Sequence, residues 1–147
     1  MRKYFVMITL SLILAISFVL CPLQLFASEY TVSIRPLMLT QKERIVGYKL
    51  KVMSGKISSL LKVPIGWNIV VDNDPSWNTN ISGSVIVGAA ALKADYFNKF
   101  VQVEHFMQKD IEFDLSLEII TTTDFEKQKK ITLTKKDLVL TSKTTHK

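Results

Sequence analysis

The fold is decided by residues 111–119, which read Ile111-Glu112-Phe113-Asp114-Leu115-Ser116-Leu117-Glu118-Ile119. Apolar residues occupy every odd position of this stretch, and polar residues occupy every even one. Asp110 extends the polar row by one residue. A period of two is typical of a β-strand with one face buried and the other in water. We therefore predict a strand whose odd-numbered side chains lie in a core.

A second alternating run follows at Lys129–Thr134, after residues 121–126, which we predict to form a loop. Two such runs joined by a short loop indicate an antiparallel hairpin. Opposite charges across a strand pair contribute about 0.2–1 kcal/mol each and help to fix the register. The acidic face of the first strand is expected to lie beside the lysines of the second: Lys127, Lys129 and Lys130.

Shorter alternating or apolar runs mark seven further strands, predicted at residues 30–35, 45–53, 56–63, 67–72, 81–88, 100–105 and 138–140. In the second of these, the residues expected to face inward are Val46, Tyr48, Leu50 and Val52. The alanine-rich segment 89–99 is the one that favours a helix. Strands spaced about every ten residues are typical of a β-sandwich. The predicted fold is an all-β, immunoglobulin-like antiparallel β-sandwich with one short helix.

The N-terminal residues have the pattern of a secretory signal. Arg2 and Lys3 precede an apolar run, and small residues follow at Ala27 and Ser28. We predict a signal peptide at residues 1–27, cleaved after Ala27 or Ser28. An uncleaved membrane anchor is the alternative, since the apolar run is almost long enough to span a bilayer. A lipid on Cys21 is not expected, because bulky residues precede it.

The composition excludes several classes of protein. The 147 residues are 48% hydrophobic and 22% charged, which excludes a disordered chain. One cysteine excludes a disulfide framework and a cysteine zinc site. Without Arg2 and Lys3 the net charge falls from +6 to +4. Because this excess is modest, we expect no nucleic acid partner, and no membrane contact beyond the signal segment. Residues 28–142 form one predicted domain, and residues 143–147 a flexible tail.

A polar stretch between two predicted strands, residues 72–80, is the one place where the sequence suggests a ligand. Oxygen-bearing side chains recur at every second position, as in calcium-binding loops. The resemblance in spacing then fails, because Trp77 and Gly83 stand where such a loop needs glycine and glutamate. An exposed tryptophan could stack on a sugar. The other interpretation is a plain inter-strand loop. The candidate ligand-binding residues are Asp72, Asp74, Trp77, Asn78 and Asn80.

Catalysis finds little support in the sequence. The chain has two histidines, His105 and His146, and no nucleophile elbow, paired metal-binding histidines or phosphate-binding loop. Neighbouring strand residues point to opposite faces, so Glu104 and His105 are not expected to act as a pair. We therefore expect no enzyme, no cofactor and no metal. The glycosylation sequon at Asn80 is taken as a chance match.

These observations predict an exported bacterial module, periplasmic or secreted, that acts by binding. The first hypothesis is a non-catalytic domain in protein–protein interaction or envelope assembly, whose partner is another envelope or extracellular protein met through a sheet edge or end loops. The alternative is a small ligand-binding module, for carbohydrate or a calcium-dependent partner, that uses residues 72–80.

Overall fold

The computed structural model describes residues 27–74, 78–106, 111–123 and 127–143, without the side chains of Asp74 and Phe106. Within these ranges the chain forms nine strands and two short 3₁₀ helices. The strands are β1 (Ala27–Ile34), β2 (Arg44–Val52), β3 (Gly55–Leu60), β4 (Trp67–Asp74), β5 (Asn78–Val85), β6 (Val101–Phe106), β7 (Leu115–Thr122), β8 (Gln128–Thr134) and β9 (Leu138–Ser142). The 3₁₀ helices are Ala94–Phe97 and Lys135–Asp137.

The strands form two antiparallel sheets. One has four strands in the order β3-β6-β1-β9, and the other has five in the order β4-β5-β2-β7-β8. Apolar side chains from both sheets meet in one buried cluster. The predicted all-β sandwich is therefore confirmed.

Aromatic rings fill the centre of the core around Tyr48 of β2. Its ring meets Phe97 and Phe100 edge-on, with centroids 5.3 and 6.1 Å away, and stacks on Trp67 at 6.0 Å. Trp67 is 7% exposed, which confirms that it belongs to the core. Edge-to-face and offset contacts at these distances stabilise aromatic clusters.

The predicted hairpin is present as β7 and β8, but β7 runs from Leu115 to Thr122 instead of beginning at Ile111. Leu117 lies opposite Leu133 and Ile119 opposite Ile131, as the alternation requires. Among the expected charge pairs, Glu118 and Lys130 are joined at 3.2 Å. The other acidic residues of this face do not pair with the lysines of β8. Glu112 forms an ion pair with Lys135 at 3.8 Å, and Asp110 lies outside the described residues.

A β-bulge in β2 overturns one part of the predicted core. The register with β7 shifts between Ile45 and Gly47. A bulge inserts an extra residue, so the alternation of faces reverses on its far side. Ile45 is therefore completely buried, whereas Val46 lies on the outer face of the sheet. The prediction that Val46 faces the core is wrong.

β3 is shorter than predicted, for a similar reason. Its register with β6 shifts between Ile57 and Ser59, and the strand ends at Leu60. Leu60 packs against the core, while Leu61 and Val63, which lie within the predicted strand, are 42% and 60% exposed.

The strand predicted at residues 81–88 also ends early, at Val85. The N–H group of Ile86 donates to Gly66 O at 3.0 Å, which joins this segment to the loop before β4. Gly88 then has a φ of +89°, a conformation that ends a strand. Val87, which lies within the predicted strand, is fully exposed.

The helix predicted at residues 89–99 is reduced to the single 3₁₀ turn Ala94–Phe97. Contacts with the sheet explain the difference. Leu92 N donates to Ile45 O at 3.1 Å, and Trp67 Nε1 donates to Ala90 O at 3.2 Å. The backbone around Leu92 thus pairs with β2, and tertiary contacts override the helix propensity of alanine.

Residues 1–26, which include Cys21 and all of the predicted signal peptide except Ala27, lie outside the described residues. Ala27 is the first residue of β1. None of the described helices is long and apolar enough to cross a bilayer. Lys143, assigned to the tail, donates its N–H to Glu29 O at 2.9 Å. Residues 144–147, with His146, lie outside the described ranges.

Candidate functional site

The polar stretch 72–80 is a hairpin tip rather than a long loop. β4 and β5 stay in register up to the pair Asp74–Asn78, so the connection is residues 75–77. Three-residue connections are common in antiparallel hairpins. The interpretation of the whole stretch as an inter-strand loop is therefore wrong, because cross-strand pairing continues through its polar residues.

Strand geometry brings several of the candidate residues together. Asp72 lies opposite Asn80, and Asp74 lies opposite Asn78. Residues two apart on a strand share a face, so these four positions share the outer face of the hairpin. The side chain of Asp74 and all of Trp77 lie outside the described residues.

Two amide oxygens at the hairpin tip have no hydrogen-bond partner among the described residues. The Oδ1 atoms of Asn78 and Asn80 are buried and accept no hydrogen bond within the described part of the chain. A buried oxygen without a donor is energetically unfavourable, and a cation or donor ligand would satisfy it. Among the described residues, however, no three His, Cys, Asp or Glu side chains come close enough to hold a metal ion.

A larger feature, which sequence reasoning missed, is a groove in the outer face of the five-stranded sheet. Its volume is about 1420 Å³. The floor is formed by small residues, of which Gly47, Ser82 and Ser84 lie side by side on β2 and β5. Because their side chains are short, the sheet surface is lower here than around it.

The walls of the groove are mainly aliphatic. Val70 of β4 and Ile86 are each 53% exposed, and Val87 is fully exposed. Val46, turned outward by the bulge, and Ile120 of β7 contribute from the other strands. Exposed aliphatic side chains around a concave surface are typical of a binding site.

The charged residues beside the groove are predominantly cationic. Arg44 and Lys49 line it and are exposed, and neither takes part in an ion pair between described residues. The acidic residue in the lining, Glu118, is neutralised by Lys130. The charge beside the groove is therefore net positive.

His105 has a structural place in the core. It is 6% exposed, and its Nδ1 lies 2.8 Å from Ser54 O. Its ring stacks on Phe113, with centroids 4.4 Å apart. Its neighbour Glu104 instead meets Lys56 at 2.9 Å on the opposite face, as alternation predicts.

No family model, curated protein or solved structure matches this chain. The sequence does contain one signal of the groove. Gly47, Ser82 and Ser84 are small residues at outward positions of predicted strands, where longer polar side chains are usual. Their alignment across β2 and β5 becomes visible only when the register is known.

Proposed function

We propose that this protein is an exported bacterial module, periplasmic or secreted, with an immunoglobulin-like sandwich fold and a non-catalytic role in protein–protein interaction. Its partner is another envelope or extracellular protein. The observation that carries the proposal is the groove in the outer face of the five-stranded sheet, with its aliphatic walls around a floor of small residues.

The size of the groove supports a polypeptide partner. Sites for small molecules usually have volumes of about 300–1,000 Å³. The groove, at about 1420 Å³, is larger, and it lies open along the sheet. An extended peptide segment with aliphatic residues would cover Val70, Ile86 and Ile120. Acidic residues at its margins would meet Arg44 and Lys49.

Site-directed photo-cross-linking in the exporting cell tests this proposal. We expect a photoreactive residue at Ser84, in the groove, to capture one discrete partner. The matched control is Gln102, which faces outward from β6 on the other sheet. Ile120→Glu should abolish the Ser84 product because it places a carboxylate against an aliphatic surface. Equal products at both positions, or a Ser84 product that persists in Ile120→Glu, would contradict the groove.

A second candidate function is ligand binding at the hairpin tip, favoured by the orphan Oδ1 atoms of Asn78 and Asn80. A ligand that binds only the folded state at a hundredfold excess over Kd stabilises it by about 2.7 kcal/mol. Calcium would then raise Tm by roughly 5–10 °C. The double variant Asp72→Asn, Asp74→Asn should abolish the rise. If the hairpin tip binds no calcium, Tm does not change when calcium is added. We expect this unchanged Tm.

A further inference from the structure

The four edge strands of the sandwich are not equally protected against pairing with another chain. The edges are β3 and β9 in one sheet and β4 and β8 in the other. Edge strands expose unpaired backbone N–H and C=O groups, and proteins guard them with lysines, prolines, bulges or short length.

Three of these edges carry such protection. β8 presents Lys129 and Lys130, both exposed. β3 has Lys56 and the bulge between Ile57 and Ser59. β9 is only five residues long.

β4 has none of these features. Its eight residues, WNIVVDND, include no lysine, arginine or proline, and its register with β5 is unbroken from Trp67 to Asp74. Val70 and Val71 are 53% and 39% exposed. Beyond the ladder with β5, the one backbone hydrogen bond between described residues that β4 makes is Trp67 N to Pro64 O. No other described residue forms a backbone hydrogen bond with the remaining free edge of β4.

We propose that β4 pairs antiparallel with β4 of a second copy of this chain, about a twofold axis at Val70. The two five-stranded sheets then become one continuous sheet across both molecules. A symmetric dimer of this kind requires a self-complementary surface, since the same residues meet from both sides.

The strand sequence fulfils this requirement. With Val70 opposite itself, Ile69 lies opposite Val71 of the second copy, so aliphatic residues meet on the core side. On the outer side, Asn68 lies opposite Asp72, and its amide can donate to the carboxylate. Each of these pairs occurs twice, and no acidic residue faces another.

Other registers lack this match. If the axis passes through Val71, Asp72 faces Val70; if it passes through Asp72, the two carboxylates face each other and repel. The Val70 register also pairs residues 67–73 of both copies, so that only Asp74 of each β4 lies beyond the paired edge, and the assembly closes at two chains.

This dimer goes beyond the proposed function and does not require it. Asn68 and Val70 line the groove as well, so the two grooves would meet across the twofold axis. The tests below use no partner protein. Their failure would leave the groove proposal standing, and failure of the cross-linking at Ser84 would leave the dimer standing.

The first experiment combines sedimentation with disulfide trapping. Opposite residues in antiparallel strands have Cα atoms about 4.5–5.5 Å apart, within the range of a disulfide. In the full chain with Cys21→Ala, which removes the one natural cysteine, Val70→Cys should give a covalent dimer on oxidation. The control, Val139→Cys on β9, is 42% exposed and should stay monomeric. Sedimentation of the protein without an added cysteine should show a dimer in the upper micromolar range.

The second experiment tests the register. Asn68→Asp places two like-charge pairs across the interface and should raise the dimer Kd about tenfold. Adding Asp72→Lys to this variant converts both pairs into ion pairs and should restore dimerisation. Asn98→Asp, an exposed change outside β4, should have no effect.

Three results would overturn the proposal. One is a monomer at every concentration, and another is a dimer in which Val70→Cys does not cross-link. The third is an Asn68→Asp variant that has the circular dichroism spectrum and the dimer Kd of the unchanged protein. If Asn68→Asp fails to fold, the disulfide trap decides alone.

Discussion

Gly83 of β5 lies against the ring of Tyr48, so even one methyl group has no room there. A Cβ at Gly83 would overlap the Tyr48 ring, with Cζ at 2.6 Å, and would lie 2.9 Å from Ile69 Cδ1. Overpacking of this kind costs about 1–3 kcal/mol. We expect Gly83→Ala to reduce the free energy of unfolding by that amount, measured by denaturant titration.

Gly47 provides the matched control. Its Cβ would have the flexible tip of Ile120 as its nearest neighbour, at 3.3 Å, and its other neighbours, Gly83 O and Ile120 Cβ, at the ordinary contact distance of 3.5 Å. Gly47→Ala should therefore change stability much less than Gly83→Ala. Equal effects of the two substitutions would contradict the packing described around Tyr48.

Burial also controls the titration of Tyr48. Removal from water raises the pKa of its phenol well above the ordinary value near 10, and contact with Tyr96 raises it further. Unfolding returns the phenol to its ordinary pKa. Its contribution to stability is therefore complete below about pH 10 and is lost as the pH rises above that value.

Tyr48→Phe should remove this part of the pH dependence. We expect the free energy of unfolding of the variant to fall less steeply above about pH 10 than that of the unchanged protein. Denaturant titrations in the alkaline range measure the difference. Parallel curves for the two proteins would show that Tyr48 ionises without unfolding.

At the scale of an element, Phe113 anchors the segment that leads into β7. Its ring lies between Tyr30 at 5.3 Å and His105 at 4.4 Å, and it is 8% exposed. Removing a buried phenylalanine side chain costs about 3–5 kcal/mol. Phe113→Ala should cause that loss in thermal or chemical denaturation.

Ile111, two residues earlier, gives the contrast. It was predicted to share the buried face, yet it is 38% exposed. Ile111→Ala should therefore cost clearly less than Phe113→Ala. A loss under about 1 kcal/mol for Phe113→Ala would mean that its face is not core.

The elements also show what alternation can predict. From Leu115 onward, alternation correctly predicted the hairpin and its inward residues, because the period of two persists through both strands. The position of Val46 could not be predicted in the same way, because a bulge reverses the faces without any residue type that marks it. The helix predicted for the alanine-rich segment 89–99 was wrong for another reason. The backbone of this segment forms hydrogen bonds with β2 and with Trp67 in place of those of a helix.

At the scale of the whole molecule, the described fold is compatible with the predicted cleavage site. Glu29 accepts hydrogen bonds from Lys143, just after β9, and from Ser58 of β3, and both lower the pKa of its carboxyl group. A chain that begins at Ser28 or Glu29 keeps these contacts. We expect N-terminal sequencing of the exported protein to begin at one of these residues; a start at Met1, or a lipid on Cys21, would contradict cleavage.

Both candidate sites are formed by residues from several strands, so neither could be predicted from a single stretch of sequence. Asp72 lies opposite Asn80 because the pairing of β4 with β5 continues up to Asp74 and Asn78, beside the turn. The groove is lined by residues of five strands, β2, β4, β5, β7 and β8, and by the loop after β5, which together span positions 44 to 128 of the sequence. Neither arrangement has a local signature, whereas the two-layer architecture follows from the number and spacing of the strands.

The place of β1 has a consequence for the order in which the molecule folds. β1 comes first in the chain but lies between β6 and β9, which come late. The hairpins β4–β5 and β7–β8 join neighbouring strands and can form early, because short loops close at little entropic cost. The four-stranded sheet must wait until the last strand has been synthesised. Such long-range pairing slows folding, so we expect the four-stranded sheet to be completed only after both hairpins have formed.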